Sequence, residues 1–110
     1  MRMTEKVVSA QVVTATGNLA LGQAPDWALQ MTVYVNATAV SGTTPSLTPT
    51  LNGSPDNVLF AQALVGTALV ATGTQRFALL GNAGRFNQLS NLVSGTTPSF
   101  TLDVWVEYRG

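Results

Sequence analysis

The same nonapeptide occurs twice in the chain, as VSGTTPSLT at residues 40–48 and as VSGTTPSFT at residues 93–101. The two copies differ at one position and lie 53 residues apart. Gly adopts the positive φ that a tight reversal needs, and a residue before Pro is held in an extended conformation. Each copy is therefore predicted to be a hairpin connection of about 3–5 residues. Pro45 and Pro98 would then begin the returning strands.

Strand-like alternation flanks both copies of the repeat. Met31, Val33 and Val35 alternate with more polar residues before the first copy, and Phe100 and Leu102 begin the same pattern after the second. A period of two is typical of a strand with one face in the core. The predicted strands are 6–15, 19–22, 28–40, 45–51, 58–65, 67–72, 74–80, 85–93 and 98–108, and the predicted loops are 51–57 and 79–87.

A second echo, TATGN at 14–18 and ATGTQ at 71–75, suggests that the two halves of the chain are similar hairpin sets. The predicted fold is all-β: an antiparallel β-sandwich or jelly roll of about eight strands. A single domain over residues 1–110 is predicted, with a short N-terminal arm at about residues 1–6 for which an extended conformation is one option. A short helix within VLFAQALVGTALVA is the alternative there, but Gly66 and its β-branched neighbours argue against it.

Charge is scarce, because only 9% of the residues are charged, whereas soluble domains usually carry about 25%. Thr, Ser, Asn and Gln provide the polar surface instead, so few ions need desolvation when a partner covers it. This favours a subunit of an assembly; the alternative is that Thr is abundant because it suits strands. The formal net charge of zero predicts neither nucleic acid nor an anionic membrane as a partner. Neither a signal peptide nor a membrane span is predicted.

Histidine and cysteine are both absent. Their absence removes the commonest general base, thiol nucleophiles and the usual zinc ligands, so no enzyme, no cofactor and no metal site is predicted. Asp103 and Glu107 are four residues apart on one predicted strand, hence about 13 Å apart, and are expected to be solvated. Asp56 lies in NGSPDN, which resembles a fragment of a calcium loop, but a lone carboxylate cannot supply the roughly six to eight oxygen ligands of Ca²⁺. An ordinary turn is predicted there.

Two aromatic residues point to the polar faces of their strands, Tyr34 in the strand before the first repeat and Trp105 in the last strand. Large aromatics in such positions are typical of interface anchors. The alternative is that this face packs under a loop that carries Trp27. The predicted contact residues are therefore Trp105, Tyr34 and Trp27.

The succession TATGN, VNATAVSGTTPSLTPTL, ATGTQRF, GRFNQL and VSGTTPSFTLDVWVEYR resembles small Thr- and Gly-rich virion proteins of tailed bacteriophages. The resemblance extends from about Thr14 to Arg109. It implies a β-sandwich that coats or completes a phage particle, foremost as a capsid decoration protein on the outside of the head. In place of a longer SxDGxxW stretch, the chain has LNGSPDNVLF, which argues against a ligand-binding role for the central loop.

The resemblance also implies partners and a location. The partners would be the major capsid protein or other virion subunits, and the chain would form a homo-oligomer, a trimer or a pentamer, that suits capsid symmetry. Its location would be the virion, assembled in the host cytoplasm. One alternative is a tail, collar or head–tail connector component. Another is a carbohydrate-binding β-sandwich, in which Trp27, Tyr34 and Trp105 would stack on sugars.

Overall fold

Antiparallel strands dominate the computed structural model, which describes residues 1–79 and 84–110. No helix occurs in these two ranges, so the all-β prediction is confirmed and the alternative helix within residues 58–71 does not form. The strands are β1 (Arg2–Val13), β2 (Gly17–Gln23), β3 (Gln30–Ser54), β4 (Ala61–Val65), β5 (Gly73–Leu79) and β6 (Phe86–Arg109).

Two long central strands organise the sheet. β3 and β6 pair with each other over their whole length, from Gln30 opposite Arg109 to Ser54 opposite Phe86. β1 and β2 follow one another along the outer side of β6, and β4 and β5 do the same along β3. The six strands therefore form one hydrogen-bonded sheet that is four strands wide. Each of its two outer positions is occupied by two shorter strands, β1 and β2 beside β6, and β5 and β4 beside β3.

The sheet is folded in half across its middle. A straight strand of 25 residues, the length of β3, would extend about 80 Å, whereas the longest dimension of the molecule is 43 Å. Near the start of β6, the side-chain amide of Asn87 donates a 3.2 Å hydrogen bond to the hydroxyl of Tyr108, near the end of the same strand. The first half-sheet comprises β1, β5 and residues 30–37 and 100–109; the second comprises β2, β4 and residues 47–54 and 86–93.

A single apolar core lies between the two half-sheets. Most of the inward-facing residues predicted from the alternation are buried, and Met31, Val33 and Val35 have no exposed surface. Ala39, which the same alternation places inward, is exposed beside the bend. Each fully buried side chain of this kind contributes about 1.5–3 kcal/mol to the free energy of unfolding. The other large, fully buried apolar residues are Leu47, Leu51, Leu89, Phe100, Leu102, Val104, Val106 and Tyr108.

The repeated nonapeptides lie opposite each other in the middle of β3 and β6. Val40 pairs with Phe100, and Leu47 pairs with Val93. The prediction that each copy is a hairpin connection is therefore wrong, because each copy continues its strand and bends it. The register of the β3–β6 pair shifts at the bend, between Ser41 and Ser46, as expected where bulges turn a strand through a corner.

The two copies have matching geometry, which makes the bend pseudo-two-fold symmetric. Gly42 and Gly95 have φ values of 112° and 116°, and Thr44 and Thr97 have φ values of 47° and 46°. A Cβ atom added at Gly42 would lie 2.7 Å from the carbonyl oxygen of Thr97, and one added at Gly95 would lie 2.7 Å from that of Thr44. The repeat is thus a pair of identical corners that pack backbone against backbone.

The two Thr-Gly segments also occupy equivalent places. The first connects β1 to β2, and the second leads from β4 into β5. At the first, the Thr16 hydroxyl accepts a 3.0 Å hydrogen bond from the Val93 amide and donates one of 3.3 Å to the Val93 carbonyl, which bridges the gap between β1 and β2. The prediction of two similar halves is confirmed. They are not hairpin sets, however, because β1 does not pair with β2, nor β4 with β5.

Other boundaries differ because strand pairing depends on partners that are distant in sequence. Arg2–Lys6, predicted as part of an N-terminal arm, pairs with β6 instead. Residues 67–72 form no strand beyond an isolated bridge between Leu69 and Leu47. The two predicted strands on either side of each repeat merge into β3 and into β6.

The finer prediction of a two-sheet sandwich or jelly roll is not confirmed, because the strands form one continuous sheet. The predicted strand 74–80 and the predicted loop 79–87 include residues among 80–83, which lie outside the described residues.

Candidate interaction surface

A row of four side chains crosses the outer face of the first half-sheet. Trp105 of β6 lies opposite Tyr34 of β3 on one side and opposite Lys6 of β1 on the other. Tyr34 in turn lies opposite Arg76 of β5. Four adjacent strands span about 14 Å. We call Arg76, Tyr34, Trp105 and Lys6 the cation–aromatic row.

Trp105 is fixed in position yet accessible. Its exposed fraction is 40%, and the ammonium group of Lys6 lies 5.7 Å from the centroid of its ring. A cation–π contact at an exposed site contributes about 0.5–1 kcal/mol. Lys6 is itself held by an ion pair of 3.5 Å with Asp103. The indole therefore has a defined orientation and retains contact area for a partner.

Asp103 anchors the edge strand beside this row. Its carboxylate accepts a 2.7 Å hydrogen bond from the backbone amide of Ala10, which has a φ of 48° within a bulge of β1. This hydrogen bond, with a smaller contribution from Lys6, lowers the pKa of Asp103 below its ordinary value. Asp103 thus holds the bulge of β1 against β6.

Glu107 has a similar role on the other side of Trp105. Its carboxylate lies 3.8 Å from Nε of Arg2 and 3.6 Å from Nε of Arg109, and it accepts a hydrogen bond of 3.5 Å from the hydroxyl of Thr4. Among the cations of the first half-sheet, Arg76 differs from the rest. Within the described part of the chain, its side chain has no ion-pair or hydrogen-bond partner.

Trp27 does not join the cation–aromatic row. It lies in the connection between β2 and β3, is partly buried, and packs against the core. A Cβ atom added at Gly110 would lie 2.9 Å from the Trp27 carbonyl oxygen and 3.1 Å from its Cε3 atom. Of the three predicted contact residues, the structure thus brings Tyr34 and Trp105 together and places Trp27 at the end of β6. The alternative that a loop carrying Trp27 covers this face does not hold, because Trp105 is exposed.

The outer face of the second half-sheet is neutral. It carries the exposed apolar side chain of Leu92, opposite Thr48, and hydroxyl and amide side chains from both central strands: Thr48, Thr50, Asn52, Gln88 and Ser90. Asn52 donates a 3.4 Å hydrogen bond to the side-chain oxygen of Gln88. The alternation of these residues with buried Leu47 and Leu51 signals this face in the sequence. Its burial would require no ion to lose its hydration.

Two buried asparagines were not identified from the sequence. Asn87 and Asn91 occupy inward positions of β6 on either side of Leu89, with exposed fractions of 3% and 1%. Neither side-chain amide atom of Asn91 has a hydrogen-bond partner. The sequence signal that could have revealed them is their spacing, because in Asn-Gln-Leu-Ser-Asn both asparagines lie two residues from the apolar Leu89 and so share its face of the strand.

The remaining acidic candidate, Asp56, caps a turn as predicted. Its carboxylate accepts 2.9 Å hydrogen bonds from the amides of Leu59 and Val58, and these bonds lower its pKa. Across residues 1–79 and 84–110, no three His, Cys, Asp or Glu side chains are grouped so that they could hold a metal ion. The same residues include no helix with the length and apolar character needed to cross a bilayer.

Comparison with known proteins yields no match to a family model, to a curated protein or to a solved structure.

Proposed function

We propose that this chain is a non-enzymatic structural subunit of a bacteriophage virion, foremost a capsid decoration protein that binds the outside of the head and stabilises it. The observation that carries the proposal is the pair of opposed aromatics, Tyr34 and Trp105, on the outer face of the first half-sheet. An aromatic such as Trp105, which is exposed and held by Lys6, is typical of a binding hot spot, and the half-buried Tyr34 beside it enlarges the aromatic surface. The resemblance of the repeated segments to virion proteins provides the biological context.

The rest of the surface supports an adhesive role. The acids of the first half-sheet's outer face are already paired with cations within the chain, and the second half-sheet presents neutral hydroxyl and amide groups. Covering the second half-sheet therefore requires no ion to lose its hydration. Covering the first half-sheet desolvates its ion pairs and Arg76, a cost that contacts of the partner with Trp105 and Tyr34 would offset. On a symmetric lattice, many weak contacts act together. The proposed partners are the major capsid protein or other virion subunits, and the proposed state is a homo-oligomer, a trimer or a pentamer.

Two other assignments use the same surface. A tail, collar or head–tail connector component would bind through it at another place on the particle, and microscopy of labelled particles would distinguish these. A carbohydrate-binding module would use Tyr34 and Trp105 as a stacking platform, which the exposure of Trp105 favours. With Trp27 outside the row, that platform has two rings rather than three. Tryptophan fluorescence that stays unchanged across a panel of glycans would eliminate it.

Co-sedimentation with capsids that lack the protein tests the leading proposal. Trp105→Ala should weaken capsid binding about 30-fold or more, the effect of losing a hot-spot residue of about 2 kcal/mol. Val58→Ala is the matched control, because Val58 is an exposed apolar side chain, 83% accessible, that lies between β3 and β4 and outside both outer faces of the sheet. Its binding should be unchanged. Full capsid occupancy by Trp105→Ala, or a loss explained by its unfolding in circular dichroism, would contradict the proposal.

A further inference from the structure

The edge strands of the sheet differ in how well they are protected. β1 is bulged between Lys6 and Val8 and again before Gln11, β2 is bulged between Ala20 and Gly22, and the register of β4 shifts where it pairs with residues 51–52. Bulges interrupt the ladder and hinder the addition of another strand. β5 differs, since it pairs with β3 from Gly73 to Leu79 without a register shift.

The outer side of β5 is unoccupied by the described chain. β5 pairs with β3 on one side, and on the other it makes no backbone hydrogen bond to any residue of 1–79 or 84–110. It contains no Pro and a single charged residue, Arg76. The Gln75 side chain holds the strand in place through hydrogen bonds of 2.7 and 2.9 Å to the backbone of Thr67. β5 is thus a regular edge whose outward amide and carbonyl groups have no backbone partner in the described chain.

Arg76 indicates the chemistry of the missing neighbour. A strand added beside β5 would extend the cation–aromatic row by one residue next to Arg76, and side chains directly opposite across strands interact. Arg76 has no acidic partner among the described residues, so a carboxylate at that position would complete an ion pair.

The edge strands of a second copy do not supply this carboxylate. An antiparallel β5–β5 pair centred on Arg76 would place two arginines opposite each other. On the outer face, β1 carries Arg2, Thr4 and Lys6, and β2 and β4 contain no acidic residue. Glu5 is on β1 but alternates with Lys6, so it lies on the other face. The observations therefore favour a segment from a different protein.

We propose that β5 is a strand-addition site that binds an extended segment of another protein, with Asp or Glu opposite Arg76. Main-chain hydrogen bonds supply the affinity, and the acid selects the partner and fixes the register. The inference deepens the proposed function and rests on it for the source of the segment, which would be another virion subunit.

The full chain, labelled with ¹⁵N, is titrated with the capped peptide Thr-Val-Thr-Glu-Thr-Val-Thr and with its counterpart that has Lys in place of Glu. The Glu peptide should shift the amide resonances of Gly73–Leu79 and slow hydrogen exchange at alternate residues of β5. It should bind about threefold to tenfold more tightly than the Lys peptide, as expected for one cross-strand charge pair. The exposed substitution Arg76→Glu should reverse this preference.

Backbone methylation of the peptide separates strand pairing from side-chain attraction. N-methyl groups on one alternate set of residues should abolish binding, and those on the other set should be tolerated. The inference is overturned if neither peptide shifts β5, if charge has no effect, or if the shifts fall on β1, β2 or β4. Concentration-dependent shifts of β5 without peptide would assign the edge to a second copy. Peptide binding in a chain that fails to sediment with capsids would refute the virion proposal alone.

Discussion

Replacing Gly42 with alanine perturbs the bend in the two central strands. The new Cβ would lie 2.7 Å from the carbonyl oxygen of Thr97 and 3.0 Å from Cα of Pro98, both backbone atoms that cannot move without disturbing β6. A side chain at a φ of 112° also imposes conformational strain of about 1–3 kcal/mol. Overpacking adds about 1–3 kcal/mol. The free energy of unfolding should therefore fall by about 2–6 kcal/mol.

Thermal unfolding followed by circular dichroism measures the effect. For a domain of this size, about 1 kcal/mol corresponds to roughly 4 °C, so the midpoint should fall by about 8–24 °C. Gly95→Ala should behave alike, because its Cβ meets the Thr44 carbonyl oxygen at the same distance, 2.7 Å. Gly17→Ala is the control: its Cβ meets no atom within 4 Å, and alanine in a strand is favoured over glycine by about 0.5–1 kcal/mol.

The symmetry makes the test strict. If both corner variants unfold within about 2 °C of the parent, the packing of backbone against backbone at the bend is refuted. If Gly42→Ala is severely destabilised and Gly95→Ala is not, the two corners are not equivalent.

Three further substitutions probe individual contacts. The hydrogen bond from Ala10 lowers the pKa of Asp103, so the carboxylate stabilises the fold above its ordinary pKa and ceases to do so as the pH falls through the lowered pKa. The free energy of unfolding of the parent should therefore decline in acid. Asp103→Asn should flatten this decline, measured by urea unfolding between about pH 2 and 5. Asn91→Leu removes two buried amide atoms without partners and should raise the free energy of unfolding by about 1–3 kcal/mol; a decrease in the thermal midpoint would contradict this. Tyr108→Phe leaves the amide of Asn87 without its acceptor and should cost about 1–3 kcal/mol. Burial raises the pKa of Tyr108, so its contribution is complete below the ordinary tyrosine pKa and declines as the pH rises through the raised one; the Phe variant should lack this alkaline loss, measured by urea unfolding above about pH 9.

The sequence reveals the strands better than their connections. The alternation around Met31 and Phe100 identifies the inward faces, because a period of two survives whatever a strand pairs with. The segment Gly-Thr-Thr-Pro carries the local signals of a reversal, but the same positive φ also suits a corner. The choice depends on a pairing partner 53 residues away, and local sequence does not encode it.

The candidate surface was predictable to the same degree. The phase of the strands places Tyr34 and Trp105 on the outer face, as the structure shows. That Lys6 and Arg76 flank them depends on the register of β1 and β5, which bulges and pairing partners set. The position of Trp27 depends on the path of the connection before β3, which alternation does not describe.

The order of strand pairing makes the two halves of the chain entwined. β1, β2 and β3 come from the first half, yet in the part of the chain that the structure describes each of them pairs with β4, β5 or β6 and none pairs with another of the three. When residues 1–56 have emerged from the ribosome, none of the strand pairs described for this sheet can yet form. Sheet formation begins when the second half emerges, and it proceeds through contacts distant in sequence, a topology that slows folding.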